Sequence, residues 1–299
     1  MSYKLNFVFF GTPDVARETL QILKESGYLP SLIVTAPDKP QGRKMLVAPP
    51  PVKVWATENK IPYIQPEKLI QEEINIAFRS SSQADETRKA IFQQENMRGD
   101  KSDIDFFLVV AYGKILSQDI LDIPKLGSLN IHYSLLPKYR GASPVESAIL
   151  NGDTVTGVSI QKMKFKMDAG PVIAQEKIEI LPTEKASELR TRLIKIGGEL
   201  LVKTLPKFID GDIKEVEQNE NEATFCKKIQ KEDGLIDLNE AGVKNYNKFR
   251  AYATWPRTFF FKDGKRIIIT DAVLENNLFV IKKVLPEGRK EITWEEFNH

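Results

Sequence analysis

Leu5-Asn6-Phe7-Val8-Phe9-Phe10-Gly11 is a near-continuous apolar run stopped by a glycine, and it sets the architecture of everything that follows. A strand with one wet face alternates apolar and polar residues. A strand covered on both faces has no such period, and unbroken runs of this kind belong to buried parallel sheets. Downstream, Val15, Leu20, Ile22 and Leu23 recur at roughly helical spacing up to Gly27, and Leu32-Ile33-Val34 predicts a second strand. Pro51 opens a short helix carrying Val54 and Trp55, and Ile61 to Ile64 supplies a third, short strand. Asp105 to Val110 and Leu126 to Ile131 predict two more strands, with a short helix near Ser117 to Leu121 between them. Strands alternating with helices imply a Rossmann-like α/β fold, a doubly wound, mostly parallel sheet. Ligands in such sheets bind at the carboxyl ends of the strands, so residues just after strands matter most.

Further along, Val155 to Met163 and Pro171 to Ile180 predict a hairpin across the loop Lys164 to Gly170. Thr183 to Lys203 predicts a helix, with Thr183 as its cap and Leu189, Leu193, Ile196 and Leu200 as its apolar stripe. Residues 1–206 thus form one large domain, and 223–299 form a smaller one. The smaller domain is expected to hold a helix near Val243 to Ala251 and strands at Thr258–Phe261, Arg266–Thr270 and Leu278–Lys283. Asp263-Gly264 is a hairpin turn between the first two of those strands. Two segments break the pattern. Glu72 to Asp103 is polar and is expected to be a surface insertion, partly helical around Asp85 to Asn96. Residues 207–222 are expected to be an acidic linker, since 210–222 hold six acids and one lysine.

Composition narrows the function classes. The 299 residues are 41% apolar and 28% charged, the balance of an ordinary globular protein. Cys226 is the one cysteine and cannot form an internal disulfide, which points to a reducing, cytoplasmic setting. The longest apolar run, Phe106 to Tyr112, falls far short of the roughly 20 residues a membrane span needs. No membrane partner is expected, and a monomer is. Residues 223–290 carry fourteen Lys or Arg against eight acids, a basic module of the kind that suits a polyanionic substrate. Neither the G-x-G-x-x-G nor the G-x-x-x-x-G-K-[ST] pattern occurs, so the fold should not be read as binding a nicotinamide or ATP. No His and Cys cluster implies a metal.

Asn130 and His132 stand at the end of a buried strand, and alternation puts both on one side with Ile131 on the other. His132 is the only internal histidine, hence the one imidazole available for proton transfer near neutral pH.

Asn130-Ile131-His132-Tyr133-Ser134-Leu135-Leu136-Pro137 followed by Arg140-Gly141-Ala142, with Met167-Asp168-Ala169-Gly170 further on, resembles the folate-dependent formyltransferase family. Phe10-Gly11-Thr12-Pro13, Val109-Val110-Ala111-Tyr112-Gly113, the stretch Pro37 to Lys53 and Lys231 to Asp237 extend the resemblance over almost the whole chain. The resemblance implies transfer of a formyl group from 10-formyltetrahydrofolate, a co-substrate, to a primary amine, with Asn130, His132 and Asp168 as catalytic residues. It implies folate contacts at Ser134, Leu135, Leu136 and Pro137, faced by Val110, Ala111, Tyr112 and Gly113. The 37–53 loop and the basic C-terminal module, similar to an OB-like barrel, favour initiator methionyl-tRNA as the amine over a nucleotide-linked amino sugar. Lys39, Arg43, Lys44 and Lys53 are then the expected tRNA contacts. Arg140 has three open readings: the folate tail, an RNA phosphate, or a structural ion pair. Glu146 has no assigned role.

Overall fold

Phe7–Gly11 forms the central strand β1, and every one of its residues is buried, as the unbroken apolar run requires. The computed structural model describes residues 5–41, 45–82 and 103–299. After β1 come α1 (Asp14–Glu25), β2 (Leu32–Val34), a small pair β3 (Lys39–Gln41) and β4 (Leu46–Ala48), α2 (Pro51–Glu58), β5 (Tyr63–Ile64) and α3 (Gln71–Ser82). The chain continues through β6 (Phe106–Val110), α4 (Gln118–Leu121), β7 (Ser128–His132), β8 (Arg140–Gly141), α5 (Pro144–Leu150), β9 (Val155–Lys162), β10 (Val172–Glu179) and α6 (Ala186–Ile209). The main sheet has the order β10-β9-β7-β6-β1-β2-β5. β1 pairs in parallel with β2 and β6, β6 with β7, and β2 with β5, whereas β9 runs antiparallel to β7.

The chain divides into two compact units that cut across the sequence boundaries at 206 and 223. The first takes in residues up to His132 together with 159–175 and 194–218, and the second holds 133–158, 176–193 and 219–299. In the first unit, Val8, Phe10, Phe107 and Val109 turn one face of the sheet into a core with Leu32, Val34, Ile104 and Leu116. On other positions of the same strands Phe7 and Phe106 stack with ring centroids 5.0 Å apart, and Phe106 meets Phe208 of α6 edge-on at 5.8 Å. Gly11 has no alternative at the end of β1, because a Cβ there would lie 2.6 Å from both Ala16 and Phe9.

Two sequence expectations need correction in these units. Residues 71–82 are a helix, and its Ile74 and Phe78 are buried in the core, so this first part of the polar segment is structural. The expected helix around Asp85 to Asn96 lies outside the described residues. α6 begins at Ala186 and runs to Ile209, beyond the predicted Lys203, and Thr183 does not cap it. The Glu188 carboxylate instead accepts from the Lys185 N–H at 2.8 Å, which occupies a donor left open at the helix start.

The second unit continues through β11 (Phe225–Cys226), α7 (Gly242–Ala251), β12 (Phe259–Lys262), β13 (Lys265–Glu275), β14 (Leu278–Pro286), β15 (Ile292–Thr293) and α8 (Trp294–Asn298). The C-terminal module, expected to be an OB-like barrel, holds an antiparallel sheet of four strands in the order β12-β13-β14-β15. Positive φ angles at Asp263 and Gly264, and again at Asn276 and Asn277, make the two tight turns. Phe249, Phe260, Ile267, Ile269, Ile281 and Val284 form its core. Buried Arg250 ties α7 down, giving N–H groups to the carbonyls of Leu181 and Glu184 and to Asn247. Among the described residues no helix is long and apolar enough to cross a membrane.

The buried side of α3 gives a direct check. Phe78→Ala should destabilise the protein by about 3–5 kcal/mol, while Ile76→Ala, on an exposed position of the same helix, should stay within about 0.5 kcal/mol. Urea unfolding of the two variants beside the parent measures both.

Candidate functional site

β7 offers its middle and last residues on one face. Asn130 stands opposite Gln161 and His132 opposite Ser159 across the antiparallel pairing with β9, while Val109 of β6 flanks Asn130 on the other side. The Asn130 carboxamide is held from both ends: its Nδ2 donates to the Val109 carbonyl at 3.0 Å, and its Oδ1 accepts from Gln161 Nε2 at 3.2 Å. The same Gln161 nitrogen donates to Asp168 Oδ1 at 2.9 Å. The other oxygen of that carboxylate, Oδ2, lies 3.7 Å from Nδ1 of His132. That separation is within ion-pairing range but too long for a hydrogen bond. His132 is buried. The three residues expected from the sequence to act together are therefore gathered in the first unit, with Gln161 between two of them.

The loop after β9 is shaped to present Asp168. Asp168 sits in the left-handed region, with φ of 51°. Gly170 is obligatory, since a Cβ there would fall 1.8 Å from the Lys162 carbonyl oxygen. Gln218 completes the loop by donating from Nε2 to the carbonyls of Asp168, at 2.8 Å, and Gly170, at 2.7 Å. Nearby, Val216 and Val172 exchange backbone hydrogen bonds. The acidic segment expected to be only a linker is thus stitched to the loop. Neither Gln161 nor Gln218 stood out in the sequence. Gln161 carried one weak signal, a polar side chain at an alternate position of a strand whose neighbours are apolar. Gln218 carried none.

The expected folate contacts divide between the units. In the first, Val110 to Gly113 make the turn leaving β6, with positive φ at Ala111 and Gly113. The Tyr112 side chain is buried. It packs in the core edge-on to Phe10 at 5.5 Å, and burial pushes its phenol up to about 12. Its carbonyl accepts from the Thr12 hydroxyl at 3.2 Å. In the second unit, Ser134 is fully buried, its hydroxyl donating to the Lys138 carbonyl at 2.5 Å. Leu135, Leu136 and Pro137 line a cavity of about 360 Å³ with Tyr139, Asp153 and Lys177. Tyr139 donates to Asp153 there at 2.7 Å, and burial pushes its phenol up to about 12 as well.

Arg140 resolves in favour of the structural reading. It is fully buried, pairs with Glu220 at 2.9 Å, and belongs to the short pairing of β8 with β11. Glu146 is buried too, and forms an ion pair with Arg190.

Of the expected tRNA contacts, Lys39 is exposed on β3. Arg43 and Lys44 lie outside the described residues. The Lys53 amine is held 2.7 Å from the Asp38 carboxylate. That amine, together with the Gln65 amide, keeps the Asp38 carboxyl below its ordinary value.

Comparison with known proteins points to one family. A family model described as formyl transferase matches residues 4–205, and one described as formyl transferase, C-terminal domain, matches residues 228–282. The methionyl-tRNA formyltransferase of Thermotoga sp. (strain RQ2) is 38% identical over 271 residues, spanning 90% of this chain and 80% of that one. That of Geobacter sulfurreducens is 35% identical over 288 residues, spanning 96% and 84%. Among solved structures, the N-formyltransferase from Helicobacter canadensis in complex with folinic acid and dTDP-3-aminofucose superimposes with a TM-score of 0.65. It shares 18% identity and covers 91% of this chain and 88% of its own. The methionyl-tRNA formyltransferase from Clostridium thermocellum gives a TM-score of 0.59 at 15% identity, covering 97% and 99%. At such identities the structural likeness speaks for the fold alone.

The close approach at Gly170 is testable without any substrate. Gly170→Ala should cost roughly 1–3 kcal/mol, because the added methyl overlaps backbone rather than a side chain that can move. Gly211→Ala, where a Cβ meets nothing, is the control for a positive φ, which Gly211 carries and Gly170 does not. Thermal unfolding of the pair distinguishes overlap from strain.

Proposed function

The chain belongs to the formyl transferase family, and we propose that it transfers the formyl group of 10-formyltetrahydrofolate to the free amino group of initiator methionyl-tRNA, giving N-formylmethionyl-tRNA. That it is a formyl-transferring enzyme follows from the family. The tRNA substrate is inferred from relatives of that name at 35–38% identity over most of the chain, together with the basic C-terminal module.

The observation that supports the mechanism best is the convergence of an amide donor, an imidazole and a carboxylate in one unit. In the proposed reaction the amine lone pair adds to the formyl carbon, giving a tetrahedral carbon that bears an oxyanion. The bond from that carbon to the folate nitrogen then breaks, and the proton lost by the amine ends on that nitrogen. An amide nitrogen has two hydrogens. The Asn130 nitrogen uses one on Val109, which leaves the second for the oxyanion. A single positioned donor of this kind contributes on the order of 3 kcal/mol to the transition state. His132 is proposed to carry the proton between the two nitrogens. Asp168 is proposed to orient the imidazole and to balance its charge while the proton is on it.

Asn130→Ala and His132→Ala should each lower kcat by at least roughly 10²-fold, with KM for both substrates little changed. Steady-state kinetics with 10-formyltetrahydrofolate and initiator methionyl-tRNA measure this. Wild-type turnover on a nucleotide-linked amino sugar instead would move the acceptor to the other branch of the family.

A second experiment bears on the tRNA. Replacing Arg43 and Lys44 together with alanine should raise KM for methionyl-tRNA and leave KM for the folate unchanged. The dependence of activity on salt should also become shallower, since fewer phosphate contacts release fewer counterions. An unchanged salt slope would remove the pair from the RNA contact.

A further inference from the structure

We infer that Gln161 is a positioning residue for formyl transfer, one that sets the Asn130 carboxamide the right way round and couples it to Asp168. The inference rests on the formyl-transfer reading above and assigns a role that neither the sequence motifs nor the family resemblance supplies.

The argument is one of hydrogen-bond parity. Asparagine and glutamine amides can sit either way round, and only their partners decide which. At one end of the chain of contacts, the Val109 carbonyl can only accept, so it selects the nitrogen of Asn130. At the other end, an ionised Asp168 carboxylate can only accept, so it selects the nitrogen of Gln161. Between these ends the two amides meet as Gln161 N–H to Asn130 oxygen, a donor on an acceptor. The two ends are independent, and they agree. If the Gln161 amide turned over, its oxygen would face the oxygens of Asn130 and Asp168 together.

Gln161 is also an uncomfortable residue for a purely structural position. It is almost completely buried, yet its Oε1 has no hydrogen-bond partner among the described residues. An unpaired buried acceptor costs stability, and an apolar side chain of the same length would avoid that cost. What an apolar side chain lacks is a nitrogen with two hydrogens. Here those two hydrogens reach the proposed oxyanion donor and the proposed carboxylate at once. Gln161 touches neither substrate in this account and acts through Asn130 and Asp168.

The test is Gln161→Met, which keeps the length of the side chain and removes both donors. The expected kcat loss is roughly 10- to 100-fold with both KM values within about twofold, since a misplaced catalytic group costs on that scale. The thermal midpoint should be no lower than that of the parent. Introduced into Asn130→Ala, the same change should cost less than about threefold, because the group it positions is already gone. Equal cost in both backgrounds, or near-parental kcat in the single variant, overturns the inference.

Gln161→Glu, which turns a carboxylate oxygen toward the two acceptors, should lose at least as much activity and covers the case in which the methionine variant fails to fold. A readout without substrate separates this inference from the formyl-transfer reading. The Asn130 side-chain amide signals in a ¹H–¹⁵N spectrum, identified by their absence in Asn130→Ala, should move in Gln161→Met or Gln161→Glu. Unmoved signals overturn the positioning role. A wild type that formylates no amine while those signals do move counts instead against the reading of the reaction.

Discussion

The antiparallel pairing of β9 on β7 is the constraint on which the site depends. In a purely parallel sheet, the residues beyond each strand gather at one end, and a residue in mid-strand meets only its neighbours' apolar side chains. Reversing one strand changes what stands beside Asn130 and His132. Gln161 and Ser159 come opposite them in register, and the loop that follows β9 folds back toward the same face. Polar side chains buried in a sheet need partners in the sheet. Here the partner residues are supplied by the strand that breaks the parallel pattern, so polarity can be placed inside an otherwise apolar layer.

Much of this was legible in the amino acids. The run Phe7 to Gly11 carried its own environment, because only a strand covered on both faces can be apolar at every position. The alternation of Asn130 and His132 across Ile131 followed from strand geometry alone. Register is a different matter. Nothing in the local sequence of β9 says that Gln161 stands opposite Asn130, since pairing joins residues thirty-one positions apart through the whole intervening chain. The same limit hid Gln218, whose bonds to Asp168 and Gly170 span about fifty residues. Its neighbours are acidic and mostly exposed, and a hydrophobic pattern is silent where the bonds are polar.

The errors have physical causes as well. α3 reads as polar because its deepest buried contacts, Ile74 and Phe78, lie one turn apart among glutamates, glutamine, serines and arginine. Two residues at i and i+4 are enough to anchor a helix on a core, though too few to make a period visible. Thr183 has the chemistry of a cap but stands two residues before the cap position, and a glutamate from the first turn does the capping. Arg140 had three open readings, and its burial beside Glu220, next to the pairing of β8 with β11, decides for the structural ion pair among them.

The bonds made by Gln218 also place the site in time. A ribosome releases the chain from its N-terminus, and domains begin to fold as they emerge. A nascent chain that has appeared as far as Ile209 holds β1, β6, β7 and β9, with Asn130, His132 and Gln161 all present. It still lacks the side chain that grips the carbonyls of Asp168 and Gly170, and it lacks Val216, which pairs with Val172. Closing that loop waits on a segment synthesised some fifty residues later. The strands of the sheet can pair before that segment exists, whereas the Asp168 loop cannot receive these bonds until it does.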